Sequence, residues 1–535
     1  MISDFEASRF LIQSSFGPTE SEIDRVQDLG YEGWIDAEIS KPASLHLAEL
    51  DRFATFRAGL SQIATDTRQG MTGFEHMPEE MMMADISHDD RIHSWWTYAI
   101  DGDDQLRQRV AFALSEIIVI SDYNPVLERY PRGVTNFYDL LVKGAFGNFR
   151  DLLEEVTLNP MMGYYLTMLR SDKASPDENY AREIMQLFTI GLEELNLDGT
   201  KKLDADGNRQ STYSQSDVSE LARAFTGWTF NESTAFAYSH GPIDSMNNMM
   251  PFNEYHDTGE KHIIGGAVIP AGQTPQQDLD QALDVLFNHP NVGPFLARRL
   301  IQRLVTSNPS PAYIYRVASV FNDDGEGIRG NLGAVVKAIL LDPEARDFSA
   351  LDPERSGQLR EPLIRATHLI RAFRQQPSSD PPVLGRFPIR NPYFEIREAP
   401  LWAVSVFNFF EPDFQVPGPL MDAGLYAPEF QITNEVSVVD TANYFFNGIR
   451  HGFRTDYGTP NYQPIDYSEI SLIDYSPDEL LDRVETLLVG RPLSAESRLA
   501  FHDLATSYET NDNPQAYGEA LLQILMAIPE FAIHH

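Results

Sequence analysis

Apolar side chains recur at helical spacing through most of the chain. In DDQLRQRVAFALSEIIVIS, residues 103–121, Leu106, Val110, Ala113, Leu114 and Ile117 share one face of a helix. In TESEIDRVQDLG the Thr19-x-x-Glu22 pair forms a capping box and Gly30 closes the helix. TNFYDLLVKGAFGNFRDLLEEVTLNPMMGYYLTMLR reads as three shorter helices punctuated by Gly147 and by Asn159-Pro160, and another helix follows over Ser175 to Leu195. The Asp-Gly pairs at Asp198 and Asp206 predict a small surface hairpin near Asp198 to Gln210, after which Ser214-x-x-Asp217 caps a further helix. Periodicity is lost twice, from Trp228 to about Thr274 and from about Pro377 to Phe430, with helices between the two stretches and three more closing the chain. Long connections of this kind are either disordered or functional. The expected fold is mainly α: a large multi-helix body with two long irregular segments and at most small β-hairpins. Its expected regions are 1–227, 228–275, 276–376, 377–430 and 431–535, read as one continuous unit.

Composition narrows the function. With 535 residues, 42% of them hydrophobic, the chain can bury a large core. No apolar run reaches the roughly eighteen residues a membrane span needs. The longest candidate, VAFALSEIIVIS, is interrupted by Glu116. The N-terminus shows neither a basic n-region nor a long apolar stretch, so no signal peptide is visible. Asp and Glu number 79 against 41 Lys and Arg, for a net charge of -38, and only seven of the cations are lysines. Such a surface repels polyanions, which argues against nucleic acid or anionic lipid as partners, and it suits a saline medium. The absence of cysteine excludes disulfides and thiolate sites, so a metal would have to be held by His, Asp, Glu or carbonyl oxygens.

Two stretches carry candidate chemistry. In SPDENYAREIMQLFTIGLEEL, Ser175 is a suitable N-cap and Pro176 suits the first turn. Tyr180, Ala181, Ile184, Met185, Leu187 and Phe188 form the apolar face, and Asn179, Arg182, Glu183 and Gln186 the opposite stripe, with Ile190 in its middle. A solvated face is the plain alternative. Amides where lysines would be usual, an Arg beside a Glu, and an apolar residue among them suit a partly buried polar network instead. In FNEYHDTGEKHIIGG, His256 and Asp257 place an imidazole beside a carboxylate, with Lys261 close by. FNDDGEGIRGNLG resembles a calcium loop but has Gly333 where the bidentate glutamate belongs. Neither a Gly-x-Ser-x-Gly elbow nor a phosphate loop is present.

These segments, with ASRFLIQSSFGPTESEI, ELARAFTGW, HPNVGPFLARRLIQRLV and APEFQITNE, resemble the bacterial family known as domain of unknown function 1800 along nearly the whole chain. Many relatives show HNHF where this chain has LSEI around Glu116, so no role for those histidines carries over. The resemblance implies an extracytoplasmic setting and a sulfatase-like or phosphatase-like partner of the family domain of unknown function 1501. It supplies no reaction. Asn179, Tyr180, Arg182 and Glu183 match one family motif, and His256, Asp257 and Lys261 another. The combined expectation is that the 228–274 loop folds over the polar stripe. It makes Glu183, His256, Asp257 and Arg182 the catalytic candidates and Asn179, Tyr180, Gln186 and Lys261 the substrate-binding ones. Such a cleft could perform acid/base or metal-assisted hydrolysis of a polymer or ester, with a divalent cation as cofactor. A non-catalytic surface binding or assembly module is the alternative.

If the acidic surface is adapted to salt, the melting temperature rises with sodium chloride up to about the molar range, where the Debye length is ~3 Å. A flat or falling melting curve contradicts that reading.

Overall fold

Ser or Thr followed three residues later by Glu, Gln or Asp marks helix starts along this chain. Ser3/Glu6, Ser87/Asp90, Ser214/Asp217, Thr274/Gln277 and Ser476/Glu479 all close reciprocal capping boxes. The computed structural model describes residues 1–52, 55, 86–237, 243–347, 355–373, 389–454, 462–463, 465–472, 475–509 and 514–534. The fold is 58% helical, and its sheets are antiparallel pairs of two strands. One buried apolar cluster draws side chains from Ala7 in the first helix to Phe531 near the other end.

Local chemistry sets several boundaries differently from the periodicity. The helix Glu20–Ser40 starts at Thr19 as expected but passes through Gly30, whose φ of 72° makes a kink rather than a stop. The helix Gln105–Ser115 ends at Glu116, its C-cap, so IIVIS leaves the helical track. Ser175 does not cap the next helix. That helix runs Asn179–Glu183 from the N-cap Glu178, then widens into a π turn over Ile184–Thr189. A π turn advances fewer degrees per residue, so the stripe drawn at α-helical spacing breaks after Glu183. Ile190, placed in the polar stripe by that spacing, is fully buried. The helix Pro514–Ala527 adds a fourth to the three closing helices expected.

The expected hairpin is a small meander of isolated bridges, Glu193 with Ser211, Leu195 with Lys201 and Leu203 with Arg209. Within the first irregular segment Lys261–Ile263 pairs with Ala267–Ile269 around Gly265 and Gly266, both at φ near 70°. Residues 238–242 of that segment, and 377–388 of the second, lie outside the described residues. A pair at long range, Gln358–Leu359 with Ile533–His534, brings the end of the chain beside the start of the helix Pro362–Ala372.

The second irregular segment is fastened to the helical body by one buried acid. Asp122 accepts Nε and Nη2 of Arg91 at 2.7 and 3.0 Å and Nδ1 of His88 at 2.9 Å. Asn391 donates to the other nitrogen of His88, and Trp402 lies against the same ring at 4.0 Å. The backbone N–H of Asp122 donates to the Leu401 carbonyl. Burial alone would raise the Asp122 pKa, but Arg91 and His88 outweigh it and hold the group below the ordinary range. A lowered native pKa contributes stability above the unfolded value of about 3.9, and that stability is lost as pH falls through the native value. Asp122→Asn strands a buried guanidinium and is expected to cost about 3–5 kcal/mol at neutral pH. Urea midpoints of both proteins should converge on acidification below about pH 4, and a gap unchanged by pH would contradict the assignment.

Candidate functional site

The residues singled out by sequence occupy two separate networks. Tyr180 is a core residue: its ring meets Phe225 edge-on at 5.4 Å and its hydroxyl shares a hydrogen bond with Thr157. Arg182 pairs with Glu178 at 3.0 Å and reaches Gln215 at 3.2 Å, so its acid is Glu178 and not Glu183. The Asn179 side chain is exposed, and Gln186 accepts from the Tyr213 hydroxyl at 3.3 Å. Glu183 is 7% exposed, and its Oε2 has no partner. Burial raises its pKa, against a smaller opposing effect of Arg182.

The second motif is a closed ionic knot. Lys261 is wholly buried and donates to Asp278 at 2.6 Å and to the carbonyls of Gly259 and Asp257 at 2.9 and 2.5 Å, which occupies all three ammonium hydrogens. His256, also buried, lies between the Thr226 carbonyl at 2.9 Å and Asp278 at 3.1 Å. Asp278 takes a further bond from Gln273. Asp257 accepts both arms of Arg223 at 2.7 and 3.2 Å, the interaction that lowers its pKa most. These bonds tie the loop to the helices Gln215–Ala224 and Pro275–Asn288. Among the described residues no direct hydrogen bond joins His256, Asp257 or Lys261 to Asn179, Arg182, Glu183 or Gln186. The partners of each motif lie in its own network.

A different cluster carries unsatisfied chemistry. Glu116, Glu361 and Glu398 each bring one carboxylate oxygen within 4.8 Å of the other two, and all three are buried. Helix ends and the second irregular segment build it. Glu116 is the C-cap of Gln105–Ser115, where the helix dipole disfavours a negative charge. Glu361 is the N-cap residue of Pro362–Ala372, yet its side chain makes no capping bond. Instead Glu398, from the irregular segment, accepts the Leu363 N–H of that helix at 3.0 Å. Arg397 and Leu401, on either side of Glu398, adopt left-handed φ values of 63° and 53°. A branched side chain such as Leu401 rarely tolerates that conformation, so the surroundings must impose it.

Direct partners are few. Asn408 donates to Glu116 Oε1 at 3.1 Å, and Arg303 stands 3.4 Å from the same oxygen. Among the described residues, Glu116 Oε2, both oxygens of Glu361 and Glu398 Oε1 meet no N–H or O–H donor, while the Glu361 and Glu398 carboxyl groups are close enough to share a proton, which raises Glu398 further. Glu429, outside the trio and 1% exposed, accepts Gln358 at 2.9 Å through one oxygen and leaves the other unpartnered. Burial pushes Glu116 up to about 8, the Glu361 charge adding to it, and carries Glu398 well above the ordinary range. Glu429 rises to about 7, first by burial and further by Glu361. Arg109 and Arg365 are buried nearby with unpartnered guanidinium nitrogens, and burial brings Arg365 down to about 10. Oxygens in this arrangement suit a hard cation or shared protons.

Sequence reasoning noticed Glu116 only as an interruption of an apolar run and did not find Glu361, Glu398 or Glu429. The usable signal was a glutamate inside VAFALSEIIVIS and another inside EIREAPLW, since a charge within apolar sequence is buried at a cost unless it has a task.

The family described as Protein of unknown function (DUF1800) matches residues 9–533, and the chain belongs to that family. No curated protein and no solved structure matches the chain.

Lys261→Met removes the only ammonium on Asp278 and is expected to cost about 3–5 kcal/mol of stability. Glu183→Gln is expected to be neutral or stabilising, because it removes the cost of ionising a buried carboxyl. Denaturant midpoints that rank the two variants in the opposite order would show Glu183, and not the knot, to be structural.

Proposed function

For this member of the family we propose a divalent-cation protein, in which Glu116, Glu361 and Glu398 hold one hard cation that clamps the irregular segment following Ile389 onto the helical body. One observation supports it above others: among the described residues, buried carboxylate oxygens of Glu116, Glu361, Glu398 and Glu429 meet no N–H or O–H donor. Native structures satisfy such atoms with water, protons or ions. All-oxygen ligation selects calcium, magnesium or manganese. The site is closed, each of its three glutamates being at most 5% exposed. The role that follows is a clamp within a binding or assembly module, not a surface at which substrate is attacked. An extracytoplasmic setting, proposed from the family resemblance, suits it, since weak calcium sites of extracellular modules work at about 10⁻⁴–10⁻³ M. The sulfatase-like partner is retained on the same resemblance alone.

A second reading keeps the hydrolase at Glu183. Its unpartnered oxygen and raised pKa are properties of a general acid, and the Tyr165 and Tyr213 hydroxyls feel its charge.

Metal analysis after dialysis and re-equilibration with calcium, magnesium or manganese separates the readings. The clamp predicts one bound ion per chain, a melting temperature that falls on chelation, and loss of both effects in Glu361→Gln but not in Glu183→Gln. Absence of metal together with an unchanged melting temperature would leave the glutamates sharing protons. Ester or polymer hydrolysis that survives chelation and disappears in Glu183→Gln would move the centre to the polar stripe.

A further inference from the structure

A cavity of about 600 Å³ opens beside the end of the helix Val292–Leu304. That volume is typical of small-ligand sites. Its walls carry two arginines that form no ion pair among the described residues. Arg298 is partly exposed, makes no ion pair or hydrogen bond, and lies 4.7 Å from the centre of the Tyr426 ring. Arg355, on the Arg355–Gly357 wall, is exposed and likewise has no partner among the described residues. Of the acids of the same cavity, one is ion-paired and the other is held within its own turn. Glu344 accepts Arg316 at 2.9 Å and Ser310 at 2.6 Å, and Asp198 accepts the Thr200 hydroxyl at 2.6 Å.

The platform under Arg298 is fixed. Asn308 donates to the Tyr426 carbonyl and accepts its N–H, both at 2.8 Å, so the ring is held where a guanidinium can stack on it. Burial brings the neighbouring Arg299 down to about 9, with Arg298 and Arg303 adding to the fall and Asp413 opposing it. In so acidic a protein, free arginines gathered on one cavity wall would find acids on almost any other surface.

We propose that this cavity binds a polar ligand through an oxyanion, a phosphate or carboxylate group, held by Arg298 stacked on Tyr426 and closed over by Arg355. A planar guanidinium with free N–H groups on one edge recognises both groups in bidentate fashion. The remaining lining mixes Thr200, Asn308 and Ser310 with apolar Val305 and Ile314, so a ligand body with both polar and apolar faces fits it. The site holds independently of any cation among the glutamates, because neither arginine touches them.

The test compares melting temperatures in inorganic phosphate, in acetate and in chloride at one ionic strength. Wild type is expected to melt higher in at least one oxyanion than in chloride. Arg298→Gln and Arg355→Gln should lose that increment, Arg298→Lys should recover part of it, and Arg182→Gln, altering an arginine elsewhere, should keep it. A response to phosphate alone or to acetate alone assigns the group. An increment that persists in Arg298→Gln is a general salt effect and overturns the proposal, as does the absence of any increment in wild type. Arg298 has no ion pair to lose, so folding of its variants is not at risk.

Discussion

Carboxylates withdrawn from water without partners are the constraint on which this account turns. Two unit charges about 5 Å apart repel by roughly 3 kcal/mol at an effective dielectric near 20, and each buried ion loses several kcal/mol of hydration besides. A whole protein is stable by only about 5–15 kcal/mol. Glu116, Glu361 and Glu398 therefore cannot all be bare anions. Among the described residues Arg303 is the one guanidinium in ion-pair range of the trio, at a loose 3.4 Å from Glu116. Something small and positive must lie among them, and protons and a divalent cation are the two candidates.

The architecture holds the glutamates together through backbone placement. A helix end supplies Glu116, a helix start Glu361, and the irregular segment Glu398, which caps the Pro362–Ala372 helix in place of its own N-cap residue. That segment stays in position because Asp122 joins Arg91, His88 and the Leu401 carbonyl. The knot around Asp278 shows the opposite condition. There Lys261, His256 and Gln273 reach both oxygens of the carboxylate, so neither is left without a donor. Full satisfaction marks the knot as structure, and incomplete satisfaction marks the glutamates as a site. The arginines of the cavity beside Tyr426 stand in the same relation to the acidic chain: cations with capacity unused.

Much of the fold was legible because its causes are local. Capping boxes and 3.6-residue periodicity placed the helices, and Asp-Gly pairs placed the small meander. The π turn after Glu183 was not legible, since an extra residue per turn leaves no mark in the apolar spacing, and it displaced Ile190 from the stripe to the core. Pairing was the weaker inference. Adjacent His256 and Asp257 suggested a shared site, but they point to different partners, Asp278 and Arg223. The glutamates were invisible as a group because Glu116, Glu361 and Glu398 are far apart in sequence and meet only through tertiary contacts. Each alone reads as an ordinary charge near a helix end.

Anomalous diffraction from crystals equilibrated with manganese tests the central claim most directly. The account predicts one peak at coordinating distance, about 2.0–2.6 Å, from oxygens of Glu116, Glu361 and Glu398. No peak there, with two of these carboxylates drawn to about 2.5–2.7 Å of each other as in a shared-proton bond, would contradict it.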